Sequence, residues 1–206
     1  FDLEMQHLFA NVWVFVGHDS QTPKHGDYFT TQIGTQPVIQ VRHSDGQIKV
    51  LHNRCPHKGT KIAIDRTGNT GTFFRCPYHA WSYDLDGKLR KTPHIGGPDI
   101  DTLDSFQHCD YPLISVRAHV WNDMIFVNVG ENAPAFEVYA ADLMARWQEF
   151  DQPLYHGGAD SSLCLQLACN WKLAVENYCE AYHLPFIHPS LNSCSRLEDH
   201  YNIIDN

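Results

Sequence analysis

Apolar and polar positions follow two different rules along the 206 residues of this chain. The opening segment, Phe1 to Trp13, places Leu3, Leu8, Phe9 and Val12 on one side of a helix, which predicts a short amphipathic helix. From about residue 14 to residue 130 the apolar runs shorten and turn residues break them. Pro37 to Arg42 alternates loosely, Ser44-Asp45-Gly46 comes next, and Gln47 to His52 resumes as a strand, so a hairpin with an Asp-Gly turn is expected. Trp81 to Leu85, Asp86-Gly87 and Lys88-Leu89 repeat the device. Leu113 to His119 and Met124 to Val129 make a third pair, separated by Val120-Trp121-Asn122-Asp123. Short strands with regular turn signals predict a small all-β domain.

After Gly130 the period lengthens. Ala135 to Phe150 reads as a helix presenting Phe136, Tyr139, Leu143 and Trp147 on one face. Leu163, Leu165 and Leu167 alternate as in a strand. Asn170 is placed to cap a helix running from Trp171 to Ala181, and Pro185 and Pro189 interrupt any helix beyond it. The expectation is an α+β chain: an all-β domain with its N-terminal helix over residues 1–130, then the opening of an α+β domain over 131–206. A first residue of Phe rather than Met fits part of a longer protein.

Composition narrows the class. Apolar residues make up 43% and charged residues 19%, values of a folded chain rather than a disordered one. The longest apolar run, Val12 to Val16, is far short of the ~20 residues of a membrane span, and no secretory leader opens the chain. A net charge of −9 disfavours nucleic acid and anionic membranes as partners. Lys88, Arg90 and Lys91 form the only short basic cluster, read as a solvated strand edge or a docking spot for an acidic electron donor. Seven cysteines are an odd number for a disulfide scaffold. Five of them (Cys109, Cys164, Cys169, Cys179, Cys194) show no pairing pattern, so free, buried thiols in a reducing cytoplasm are expected.

The other two cysteines carry chemistry. Cys55-Pro56-His57-Lys58-Gly59 and Cys76-Pro77-Tyr78-His79 each come after a strand, with eighteen residues between His57 and Cys76. Two thiolates and two imidazoles suit zinc or an iron–sulfur cluster. Structural zinc sites pair Cys with Cys and His with His, whereas each box here mixes one of each. Mixed boxes match a Rieske [2Fe–2S] centre, in which two histidines replace two cysteines on one iron. Cys55 and Cys76 are therefore the expected ligands of one iron, His57 and His79 of the other. Trp81 and Tyr78 are placed to shield such a cluster from water.

A second constellation runs from Asn170-Trp171-Lys172 to Glu180, His183, His188 and Pro189. His183 and His188 lie five apart, about 140° around an ideal helix, so Pro185 must break the helix if both are to face one point. Glu180 is one turn before His183 and shares its face. Two histidines and a carboxylate form the facial triad of non-haem Fe(II) oxygenases, and such iron needs electrons delivered from elsewhere.

With these motifs in this order, the chain resembles the large (alpha) subunit of the Rieske non-haem iron oxygenases, the aromatic-ring-hydroxylating oxygenases. The likeness rests on Cys55-x-His57, Cys76-x-x-His79, Tyr83-Asp84-Leu85-Asp86-Gly87, Asn170-Trp171-Lys172 and Glu180-x-x-His183-x4-His188, and spans essentially the whole chain. It implies a helix-grip-like catalytic domain after the Rieske domain. It implies mononuclear iron on His183 and His188, with Glu180 as the catalytic link to a Rieske histidine of a neighbouring subunit. Many members carry Asp where this chain has Glu180; relatives that oxidise quaternary ammonium compounds are among those with Glu. Lys58 replaces the usual Arg and Ala80 a common Gly. The family's third iron ligand, an Asp, is expected beyond residue 206, since Asp199 and Asp205 are too close to His188. The implied activity is O2-dependent hydroxylation of a small organic substrate, an aromatic compound or a quaternary amine. NAD(P)H electrons would arrive through a separate reductase and a ferredoxin, and head-to-tail contacts imply a homotrimer. A Rieske electron carrier without catalysis is the rival from another class.

Overall fold

A computed structural model describes residues 1–130, 132–152, 154, 155, 157–161 and 163–201; Asp205 lies outside them. Contacts divide the chain into two compact units, Phe1–His156 and Gly157–Asn206.

The first unit is built from ten strands: β1 (Val14–His18), β2 (Asp27–Ile33), β3 (Gln36–Arg42), β4 (Ile48–His52), β5 (Thr67–Asn69), β6 (Phe73–Arg75), β7 (Ser82–Asp84), β8 (Leu89–Lys91), β9 (Arg117–Trp121) and β10 (Met124–Asn128). They form three antiparallel sheets, in the orders β1-β10-β9, β4-β3-β2-β5 and β6-β7-β8. All three expected hairpins are present. The third differs in its turn: β9 runs on to Trp121, and only Asn122 and Asp123 make the connection. Their φ values of 47° and 60° suit a two-residue hairpin loop.

Strand β3 explains why its alternation is loose. Pro37 to Val41 are all buried, because one face packs toward β10 and the other toward the β6-β7-β8 sheet. Val38 joins a cluster with Ile33, Val50, Val116, Ile125 and Val127. Ile39 and Val41 join the larger cluster containing Leu51, Phe74, Trp81, Tyr83, Leu85, Leu89 and Leu113. A strand covered on both faces needs apolar side chains at successive positions. Cys55 and Cys76 belong to this same cluster, 1% and 3% exposed, so the core itself brings the two boxes together.

Gly87 closes the β7–β8 turn at φ +85°, and a Cβ there would lie 2.8 Å from the Leu113 carbonyl. Only glycine permits that approach, which lets the Leu113 N–H donate to the Gly87 carbonyl at 2.8 Å. The segment after β8 is thereby pinned back over the cluster-bearing sheet.

Two expected helices are corrected. The N-terminal one is a single wide turn, Glu4–Leu8, with the Phe9 N–H donating to the Glu4 carbonyl at 3.0 Å. Leu3 and Leu8 of the expected stripe are exposed, while Phe9 packs on the cluster around Ile33 and Val127. Residues 135–150 form α1 (Phe136–Tyr139) and α2 (Ala141–Trp147) with a tighter turn at Gln148–Phe150. The buried face is Phe136, Ala140 and Met144 against Trp13, Trp121 and Phe126, while Tyr139 and Leu143 stand exposed. The Trp13 indole N–H donates to the Pro134 carbonyl at 3.0 Å and turns the helix onto that patch.

In the second unit, Leu163, Leu165 and Leu167 are exposed and do not form the expected strand. A strand exists through its ladder, and none of the described residues pairs with them. Helix α3 (Trp171–Cys179) is capped as expected: the Asn170 side chain accepts the Lys172 N–H at 3.1 Å. It stops two residues short of Ala181. Two short helices come next, α4 (Leu184–Ile187) and α5 (Pro189–Asn192), each with proline in its first turn.

Candidate metal centres

The two Cys/His boxes fold into loops of one kind. The Gly59 N–H donates to the Cys55 carbonyl at 2.8 Å, and the Ala80 N–H to the Cys76 carbonyl at 2.9 Å. The Cys55 N–H donates to the Thr60 carbonyl at 2.9 Å, and the Cys76 N–H to the Trp81 carbonyl at 2.8 Å. In both, the fourth residue after the cysteine is left-handed, with φ +73° at Gly59 and +59° at Ala80. Ala80 thus occupies the position where Gly59 is free of strain. Each loop points its cysteine into the core and carries its histidine outward: His57 is half-buried and His79 exposed. The imidazole rings meet with centroids 4.5 Å apart, beside a surface cavity of about 1060 Å³ that also meets Arg75, Tyr78, Phe106 and Tyr111.

Electrostatics distinguish the two pairs. Burial, reinforced by neighbouring Cys76, pushes the Cys55 thiol up; hydrogen bonds from Tyr83 and the His57 backbone act the other way. Tyr83 is fully buried, 3.2 Å from the Cys55 sulfur. Burial first, then Cys55 and Cys76, keeps its phenol protonated, so the O–H is available to donate to a thiolate. Burial, with His79 and Lys58, holds His57 below the usual imidazole range, so the ring presents a neutral nitrogen. Among the described residues no three His, Cys, Asp or Glu side chains gather as one metal ion would require. A thiol pair at depth and an imidazole pair above it suit a two-iron cluster better than a single zinc.

Sequence reasoning overlooked Asn53. It is 2% exposed, donates from Nδ2 to the Ala63 carbonyl at 2.7 Å, and accepts from the Ile62 and Ala63 N–H groups at 2.8 and 3.0 Å. That side chain closes the whole first loop. The signal was an amide directly after β4, two residues before Cys55.

In the second unit, Glu180 follows the last residue of α3, and its backbone is extended (φ −121°, ψ 149°). Glu180 and His183 are therefore not on one helix face, as the spacing had suggested. The turn brings them together instead: the Glu180 carboxylate is hydrogen-bonded to His183 Nδ1 and accepts the His183 N–H at 3.3 Å. These bonds, with the Tyr182 N–H, hold the Glu180 carboxyl below the usual range. His183 precedes α4 and His188 ends it, so one turn of helix separates the rings, with centroids 5.3 Å apart. With Nδ1 engaged, His183 offers Nε2 to a metal. Both histidines and Glu180 line a cavity of about 400 Å³ that also meets Asn177, Ser195 and His200.

Buried thiols on two matching loops, with paired imidazoles above, define an iron–sulfur protein of the Rieske class. Residues 12–107 match the Rieske [2Fe–2S] domain, and residues 144–205 match the catalytic domain of the ring-hydroxylating alpha subunit. The chain belongs to the alpha subunits of the Rieske ring-hydroxylating oxygenases, as their N-terminal portion. It is 34% identical to the glycine betaine monooxygenase oxygenase subunit of Chromohalobacter salexigens, over 97% of this chain and 43% of that protein. It is 31% identical to the biphenyl dioxygenase alpha subunit of Paraburkholderia xenovorans, over 89% and 41%. Among solved structures, a naphthalene 1,2-dioxygenase from Rhodococcus superposes with a TM-score of 0.79 at 29% identity, over 94% of this chain and 44% of that one. A quaternary ammonium Rieske monooxygenase with L-carnitine superposes at 0.76 and 26% identity, over 94% and 53%. The chain thus spans less than half the length of these curated relatives.

Proposed function

We propose that the whole protein is the oxygenase component of a hydroxylating system, fed with NAD(P)H electrons by a separate reductase and ferredoxin in the cytoplasm. Residues 1–130 are assigned to the Rieske domain and 131–206 to the start of the catalytic domain. Cys55, Cys76, His57 and His79 would hold the [2Fe–2S] cluster, and His183 and His188 the mononuclear iron. The cluster would supply single electrons and the iron the activation of O2. Support comes above all from the presence, in one chain, of the paired Cys/His loops and the Glu180–His183–His188 cavity. An electron carrier has use only for the first.

Contacts support a role for each of the chain's own side chains. Buried Cys55 and Cys76 anchor the cluster's inner side, while His79 stands at the surface where a neighbour can reach it. Glu180 orients His183 through Nδ1 and increases the ring's basicity toward metal. The part-exposed carboxylate lines the cavity beside His183, consistent with a link between His183 and a Rieske histidine of the next subunit in a homotrimer. All seven cysteines are free, and the five outside the two boxes are exposed rather than buried as expected, because none of them lies in a core cluster. Free thiols suit a reducing compartment, and among the described residues no helix is long and apolar enough to cross a membrane.

For substrate, an aromatic compound is the first reading and a quaternary amine the second. Glu180 and the 34% identity to a glycine betaine monooxygenase favour the second. O2 uptake and product formation by the whole protein with its reductase, comparing biphenyl with glycine betaine, decide between them. Replacing Glu180→Gln should leave both metal centres loaded while NADH oxidation uncouples from product. Coupled turnover at the wild-type rate would remove the linking role.

A further inference from the structure

The two cluster histidines have unequal surroundings. The His57 ring lies flat on the Trp81 indole, with centroids 4.5 Å apart and planes 7° from parallel. Trp81 is 5% exposed. Phe106 meets it edge-on at 5.4 Å and 71°, Tyr111 at 5.8 Å and 81°, and these two stack on each other at 4.7 Å and 10°. Apart from His57 itself, the ring found against His79 among the described residues is Tyr78, at 3.9 Å, and Tyr78 is 64% exposed. Trp81 comes from the His79 loop but packs on the histidine of the other loop, and its backing comes from Phe106 and Tyr111, 25 and 30 residues further on.

We infer that Trp81, backed by Phe106 and Tyr111, is a positioning residue: it fixes the plane of the His57 ring and keeps water from that side of the cluster. This rests on the ligand assignment above. A parallel indole blocks rotation of the imidazole, and the edge-on pair blocks the indole from turning in response. With two thiolates and two neutral imidazoles the oxidised cluster is neutral overall. One electron, supplied from outside, makes it an anion with no bond formed or broken. A dry aromatic wall disfavours that gain of charge, so the wall holds the reduction potential down.

The test is a dithionite titration of the full chain at fixed pH, with EPR of the reduced state, for wild type, Trp81→Ala, Trp81→Phe and Phe106→Ala. Trp81→Ala should shift the midpoint positive and alter the g-values, and Trp81→Phe should restore both. Phe106→Ala, which leaves the His57 contact in place, should give a smaller positive shift. If Trp81→Ala does not load a cluster, Phe106→Ala carries the test. Wild-type midpoints and g-values in loaded Trp81→Ala, or no shift in Phe106→Ala, overturn the inference. Absence of a Rieske signal in wild type would overturn the ligand assignment instead.

Discussion

Ala80 shows how much one side chain's conformation can cost. At φ +59° it pays the left-handed penalty of roughly 1–2 kcal/mol, while glycine there would lose part of that gain through a freer unfolded chain. Ala80→Gly should therefore stabilise the protein by about 0.5–1 kcal/mol, read as a higher denaturation midpoint with the same slope. Tyr83→Phe removes a hydrogen bond to the Cys55 sulfur. Since that bond favours the more negative, reduced state, the cluster potential should fall by on the order of 20–60 mV, one hydrogen bond carried by one electron. An unchanged potential would show that the 3.2 Å contact is not a bond to the thiolate. His52, half-buried at the end of β4, is held below 6.5 by burial and then by Arg54. Its unfolded form takes a proton first as the pH drops, so stability should decline from about pH 6.5 downward until the native ring titrates. His52→Gln should flatten the stability profile in that window.

Among elements, the hairpins were legible because turn chemistry is local. Asp45-Gly46 and Asp86-Gly87 can be read without knowing what they pack on. The first ligand loop was legible only as a ligand sequence. Its shape depends on Asn53 reaching across ten residues to Ala63, and a long-range hydrogen bond leaves no periodic trace. Asn53→Ala removes three buried bonds and should cost about 2–3 kcal/mol, with faster amide exchange over 53–63 as the local check. Helix ends were the other blind spot. The spacing of Glu180 and His183 fits a helix, yet α3 ends at Cys179 and the contact forms through a turn.

At the scale of the molecule, the cluster site is a seam. Cys55 and His57 come after the β4 edge of the four-stranded sheet, Cys76 and His79 lie between β6 and β7, and a bound cluster would tie the two sheets together. Removing iron and sulfide by acid and chelator should lower the melting temperature of the first unit, because metal binding then contributes directly to its folding. Calorimetry of holo and apo protein, with the two units resolved, measures this. An identical first transition would mean the loops hold without the cluster.

The proposed ligands Cys55, His57, Cys76 and His79 were singled out by the sequence alone. Thiolate and imidazole chemistry, with close spacing inside each box, restricts what can bind whatever the surrounding fold. Tertiary structure decided which way each of these side chains faces: cysteines into a core shared by two sheets, His79 to the surface, His57 against Trp81. Those choices depend on residues as far apart as His57 and Tyr111, which only packing brings together.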